Sequence, residues 1–112
     1  MNLLDKIEYL KTLTTNWDSY GASEICPTSI DEVTETVRFL ERVGVQLPEI
    51  HPNARGGIDL EWDFNDGEFS VTISPGRKFE YYLEQKDMGH ENFDVSPAEA
   101  HWLILKYIGE ID

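Results

Sequence analysis

The chain has 112 residues, 40% of them apolar, which suits one globular domain and is too short for two ordinary ones. Asp and Glu number 22 against 9 Lys and Arg, and the net charge of −13 excludes the basic footprint that direct binding to nucleic acid or to anionic membranes requires. Five Phe, five Tyr and three Trp exclude a disordered acidic tail.

Folding at this size buries about two-thirds of the extended chain's surface, so a core can form without disulfides or metal. Cys26 is the single cysteine, which excludes an internal disulfide and fits a reducing compartment. Asp5 and Lys6 interrupt the N-terminal region before any signal-peptide core can form. The longest apolar run, Trp102 to Leu105, is four residues, far from a membrane span. The expectation is a soluble cytoplasmic protein that does not bind membranes.

Leu3, Leu4, Ile7, Leu10 and Leu13 recur at helical spacing and predict a first helix over about 2–14. Asn16 to Ala22 is a loop carrying Trp17 and Tyr20. These two aromatics are either packed over the helix layer or exposed as binding anchors. A second helix is predicted near Pro27, with Ser29 and Glu32 as a capping box. Ile30, Val33, Val37 and Leu40 form its inner stripe, flanked by Phe39 and Val43, while Asp31, Glu32, Glu35, Arg38 and Glu41 face water. Gly44 stops it, and Leu47 to Gly57 reads as a loop.

The period then changes to two. Ile58, Leu60, Trp62 and Phe64 alternate with Asp59, Glu61 and Asp63. Phe69, Val71 and Ile73 form the next apolar set, and Phe79, Tyr81 and Leu83 the third. Asp66-Gly67 predicts a two-residue hairpin turn, and Pro75 to Arg77 a second turn. Gln85 to Val95 reads as a loop. Ser96-Pro97-Ala98-Glu99 then opens a third helix with an N-cap, a proline at the first position and a glutamate at the third. Its core face is Ala100, Leu103, Ile104, Tyr107, Ile108 and Ile111, and Trp102 and Leu105 lie on the other side. The fold class expected is α+β: a three-stranded antiparallel meander with helices on one face, in the order α-α-β-β-β-α.

With Asp66-Gly67 as the turn, Phe64 faces Phe69, Trp62 faces Val71 and Leu60 faces Ile73; after the second turn Ile73 meets Phe79 and Val71 meets Tyr81. The outward rows then read Asp59-Ser74-Lys78, Glu61-Thr72-Glu80, Asp63-Ser70-Tyr82 and Asn65-Glu68-Glu84. Six carboxylates, Asp59, Glu61, Asp63, Glu68, Glu80 and Glu84, share this face with Lys78 as the one offsetting cation. Neighbouring carboxylates on one strand sit roughly 6.8 Å apart, twice the strand rise, close to the spacing of phosphates along a nucleic-acid strand. The face is either a solvated surface or an acidic docking surface for a basic groove.

Motifs for catalysis are absent. His51, His90 and His101 are scattered, with no Cys or His at metal-ligand spacing, so no metal or other cofactor is expected. Asp63 to Glu68 begins like a calcium loop, but Gly67 and Glu68 occupy the positions where a ligand and then a glycine are needed. Neither Cys26 nor any serine has a neighbouring base.

Asn16-Trp17-Asp18-Ser19-Tyr20-Gly21-Ala22, Pro48, Pro52 and Gly56-Gly57-Ile58-Asp59-Leu60-Glu61-Trp62 together resemble a group of short bacterial and phage-associated proteins without an assigned activity. The resemblance spans roughly residues 14 to 75 and implies a shared fold. In size and acidity the chain is also similar to anti-CRISPR and other anti-defence proteins. The function expected is a non-enzymatic inhibitor whose partner is a basic, nucleic-acid-binding protein, held by Asp59, Glu61, Asp63, Glu68, Glu80, Tyr82 and Glu84. The alternative is an antitoxin-type neutraliser of a small toxin. A monomer, or a weak homodimer through Trp102 and Leu105, is expected.

Overall fold

Among the described residues, apolar residues at every second position make the central strands of a five-stranded sheet, and residues at every third or fourth make three helices that cover one face of it. The structure is a computed structural model and describes residues 3–15, 17, 21–64, 67–76, 78–85 and 88–109.

Helix α1 spans Leu3–Leu10, shorter than the periodicity predicts. Its backbone bonds tighten at the end, where the Thr12 and Leu13 amides donate to Tyr9 and Leu10 at 3.0 and 3.3 Å. Thr12 Oγ1 also donates to the Tyr9 carbonyl at 2.6 Å, so the hydroxyl occupies an acceptor at the helix end. Helix α2, Pro27–Val43, starts where the sequence predicts, at Pro27, but its cap position is Cys26 and not the expected Ser29. Pro27 presets the helical φ at the first position and has no amide to leave unpaired. The residue before it, Cys26, is extended at φ −66° and ψ 135°, as a pre-proline residue should be. Ser29 is therefore inside the first turn and buried, and Glu32, expected to face water, is buried as well. Val43 is exposed and Phe39 half-buried. Gly44 ends the helix in the left-handed region at φ 78°, with its amide on the Leu40 carbonyl.

The strands are β1 (Glu49–Pro52), β2 (Ile58–Phe64), β3 (Gly67–Ser74), β4 (Lys78–Gln85) and β5 (Met88–Val95), paired antiparallel in chain order. The expected three-stranded meander is thus the centre of a five-stranded sheet, and the predicted loops at 47–57 and 85–95 each hold a strand. β1 escapes a periodicity search because only four residues pair and a proline closes it. Pro52 is tolerated because β1 is an edge strand.

The β2–β3 register also differs from expectation. Phe64 pairs with Gly67, Trp62 with Phe69, Leu60 with Val71 and Ile58 with Ile73. Gly67 belongs to the strand, and positions 65 and 66 lie outside the described residues. The slip is two residues, so every side chain keeps its face and only its partner changes. The β3–β4 register is the expected one: Ile73 pairs with Phe79 and Val71 with Tyr81.

Helix α3, Pro97–Gly109, begins as the sequence predicts. Ser96 Oγ accepts from the Glu99 amide at 3.2 Å and lies 3.4 Å from its carboxylate. α1 packs near β1, α2 across β2 and β3, and α3 on β4. Between the layers lie Ile7, Leu10, Val33, Val37, Leu40 and Ile104 from the helices, and Ile50, Leu60, Trp62, Phe69, Ile73 and Phe79 from the sheet. Burial of each such side chain contributes about 1.5–3 kcal/mol against the chain entropy. Trp62 Nε1 donates to the Gln46 carbonyl at 2.8 Å, so this large ring is buried with its polar atom satisfied. Among the described residues, no helix is long and apolar enough to cross a membrane.

Candidate docking face

Because the helices occupy one side of the sheet, its other side is open along β1 to β4. The odd-numbered residues of β1 and β2 and the even-numbered residues of β3 and β4 stand on it. Asp59, Glu61, Asp63, Glu68, Glu80, Tyr82 and Glu84 are all brought to this one face. Glu61, Asp63, Glu68, Tyr82 and Glu84 are exposed, and Asp59 and Glu80 are half-buried.

The rows across the strands are not the expected ones, because of the two-residue shift at β2–β3. Asp63, Glu68 and Glu84 now lie opposite one another on three successive strands. They line a shallow depression of about 320 Å³ with Gly67 at its edge. Glu61, Ser70 and Tyr82 make the next row, Asp59, Thr72 and Glu80 the next, and Ser74 with Lys78 the last. Like charges directly opposite in a sheet destabilise it, so this end of the face is electrostatically loaded.

Three hydrogen bonds order individual side chains. Tyr82 Oη donates to Glu84 Oε2 at 3.2 Å. Thr72 Oγ1 donates to Asp59 Oδ1 at 2.9 Å, and Asn53 Nδ2 reaches the same oxygen at 3.3 Å. Asp59 is therefore held within the sheet, while Glu61, Asp63, Glu68 and Glu84 present their charge outward.

Sequence reasoning missed two residues of the face. Glu49 and His51 lie on β1, with Glu49 opposite Glu61 and His51 opposite Asp59. The one apolar side chain between them, Ile50, set between Pro48 and Pro52, is too short a pattern to mark a strand. His51 Nε2 approaches Glu49 Oε2 at 3.4 Å and Glu61 Oε2 at 3.6 Å.

The other aromatic candidates are elsewhere. Trp17 is half-buried and its indole donates to the Ser23 carbonyl at 2.9 Å; Tyr20 lies outside the described residues. Trp102 on α3 is 58% exposed, with Lys106 Nζ 5.2 Å from its ring centre, while Leu105 is half-buried. A groove of about 420 Å³ between α2 and α3 is lined by Glu35, Arg38, Phe39, Arg42 and His101. There the His101 ring stacks on Phe39 at 4.9 Å and bonds Thr36 Oγ1 at 2.9 Å. Burial holds the His101 pKa below its ordinary value, against the opposing pull of Glu32 and Glu35.

Compared with protein-family models, curated proteins and solved structures, the chain matches none.

Proposed function

We propose that the chain is a small cytoplasmic inhibitor of the kind encoded by phages and mobile elements. Its acidic sheet face occupies a basic nucleic-acid-binding surface on a defence protein, of the CRISPR type, or on a host protein. The observation that carries this reading is the single open face on which β2, β3 and β4 place Glu61, Asp63, Glu68, Glu80 and Glu84. Lys and Arg accept carboxylate and phosphate partners alike, so an ordered array of carboxylates competes for a groove built for phosphates. The action is occupancy and not catalysis. The alternative, an antitoxin-type neutraliser, would use an apolar contact, for which Trp102 is the exposed candidate.

The test is affinity capture from a host extract with three proteins. One is the natural chain. The second carries Gln or Asn at Glu61, Asp63, Glu80 and Glu84. The third carries them at Glu24, Asp31, Glu35 and Glu41, which are exposed on the helical side or its preceding loop. The expected result is a nucleic-acid-binding partner held by the first and third proteins, lost by the second, and released by added DNA or RNA and by salt. Equal loss from the second and third proteins would reduce the effect to net charge. A salt-insensitive toxin, captured by all three and lost on Trp102→Glu, would favour the alternative.

A further inference from the structure

We propose that Glu49, His51 and Glu61 form a surface site for a divalent transition-metal ion of the zinc class, at the β1–β2 edge of the acidic face. The three side chains come from two paired strands, with Glu49 and His51 two residues apart on β1 and Glu61 directly opposite Glu49. One nitrogen and two carboxylate oxygens lie within 4.8 Å of one another. The His51 Nε2 separations of 3.4 and 3.6 Å nearly equal the spacing between ligands around tetrahedral zinc. Bonds of about 2.0–2.2 Å at tetrahedral angles put neighbouring donors about 3.4 Å apart.

The donor set is what distinguishes this corner from the rest of the face. Carboxylates alone suit calcium or magnesium and need six or more oxygens. An imidazole beside two carboxylates suits zinc and its neighbours in the first transition row. The two glutamates also neutralise the charge of a divalent ion. Three protein ligands leave a coordination position for water. The side chains of His51 and Glu61 are 44% and 47% exposed, so an ion reaches them without rearrangement of the core. The strand pairing fixes all three Cα positions, and the ordering of the side chains is all that binding must add.

The test is calorimetric titration with zinc chloride on the Cys26→Ser protein, since the partly exposed Cys26 thiol is a competing zinc ligand. One ion per chain is expected. Ligand loss in His51→Asn or Glu61→Gln should exceed the roughly 10–100-fold that second-shell changes cost at metal sites. The ring protons of His51 should shift on binding in the parent. Glu80→Gln, which removes the same charge from the same face, should change affinity less than twofold, and circular dichroism should show every variant folded. No binding at millimolar zinc would overturn the proposal. So would unchanged affinity in His51→Asn, or an equal loss in Glu80→Gln and Glu61→Gln.

Discussion

Glu68 and Glu84 are direct cross-strand partners, and Asp63 faces Glu68 from the other side. Opposed like charges in a sheet destabilise it by roughly 0.2–1 kcal/mol per pair. Glu68→Gln removes the central charge of this row and both repulsions with it. The melting temperature should rise at low ionic strength, by a few degrees for a domain of about this size. The gain should shrink as salt screens the row. Thermal melts at 20 and 500 mM salt check this, and a variant that melts lower at both would mean that Glu68 is held by attraction.

His101 gives stability a definite pH dependence. Its folded pKa is lowered, first by burial, so the unfolded chain binds its proton more readily. Stability is then fully present above the unfolded value of about 6.5, and is lost as pH falls from there toward the folded pKa. Denaturant melts between pH 7.5 and 5 should show this loss in the natural chain and a smaller one in His101→Gln. Identical slopes would show that His101 does not set the dependence.

Cys26 stands just before α2, where the Thr28 hydroxyl lies 3.2 Å from its sulfur. The Thr28 side-chain and backbone hydrogen bonds hold the thiol pKa below its ordinary value, against the opposing effect of burial. Alkylation at pH 7.5 should therefore be slower in Thr28→Val, and the pH midpoint of the reaction should move up. An unchanged rate profile would remove Thr28 as the cause.

What was legible in the sequence follows from how many residues repeat a pattern. β2 to β4 hold three or four alternations each and were placed on the correct face. β1 has one buried residue, Ile50, inside four paired positions, which is too little for a period to emerge. β5 pairs with a register irregularity opposite Phe79 to Tyr81, and such a shift breaks strict alternation. The acidic face was legible because face assignment survives a two-residue slip. The Asp63-Glu68-Glu84 row was not, because partner identity depends on which residues make the turn. Glu32 was misplaced because it lies on the polar side of a simple helical wheel, whereas α3 packs close enough to α2 for His101 to bond Thr36. The Glu49-His51-Glu61 cluster needs the β1 pairing and could not be seen without it.

Gly57 is a steric test of the β1–β2 hairpin. A Cβ there would sit 2.5 Å from the Ile73 carbonyl oxygen and 2.9 Å from Asn53 Nδ2. The backbone of β3 cannot yield without disturbing the sheet. Asn53 Oδ1 accepts from the Arg55 and Gly57 amides at 3.1 and 2.9 Å, so the loop cannot yield freely either. Gly57→Ala should cost about 1–3 kcal/mol, the range for overpacking, measured by urea denaturation. Gly76→Ala has open space around its Cβ, so only its left-handed backbone at φ 82° opposes it. The loss at Gly57 should be the larger, and the reverse order would contradict the packing of β3 against this loop.

Trp102 tests assembly apart from folding. It is 58% exposed on α3, and its one ring contact among the described residues is the Lys106 ammonium at 5.2 Å. An exposed cation–π contact is worth about 0.5–1 kcal/mol, so Trp102→Glu should leave the fold intact with only a small loss. If the chain forms a weak homodimer on this surface, its weight-average mass in sedimentation equilibrium should rise with concentration. That rise should vanish in Trp102→Glu, where a charge would replace the apolar contact. Leu105→Ser is the companion variant, and it should weaken association less because that side chain is already half-buried within its own chain. A natural chain that stays monomeric at all concentrations would exclude the homodimer. A Trp102→Glu protein that unfolds would place the ring in the core.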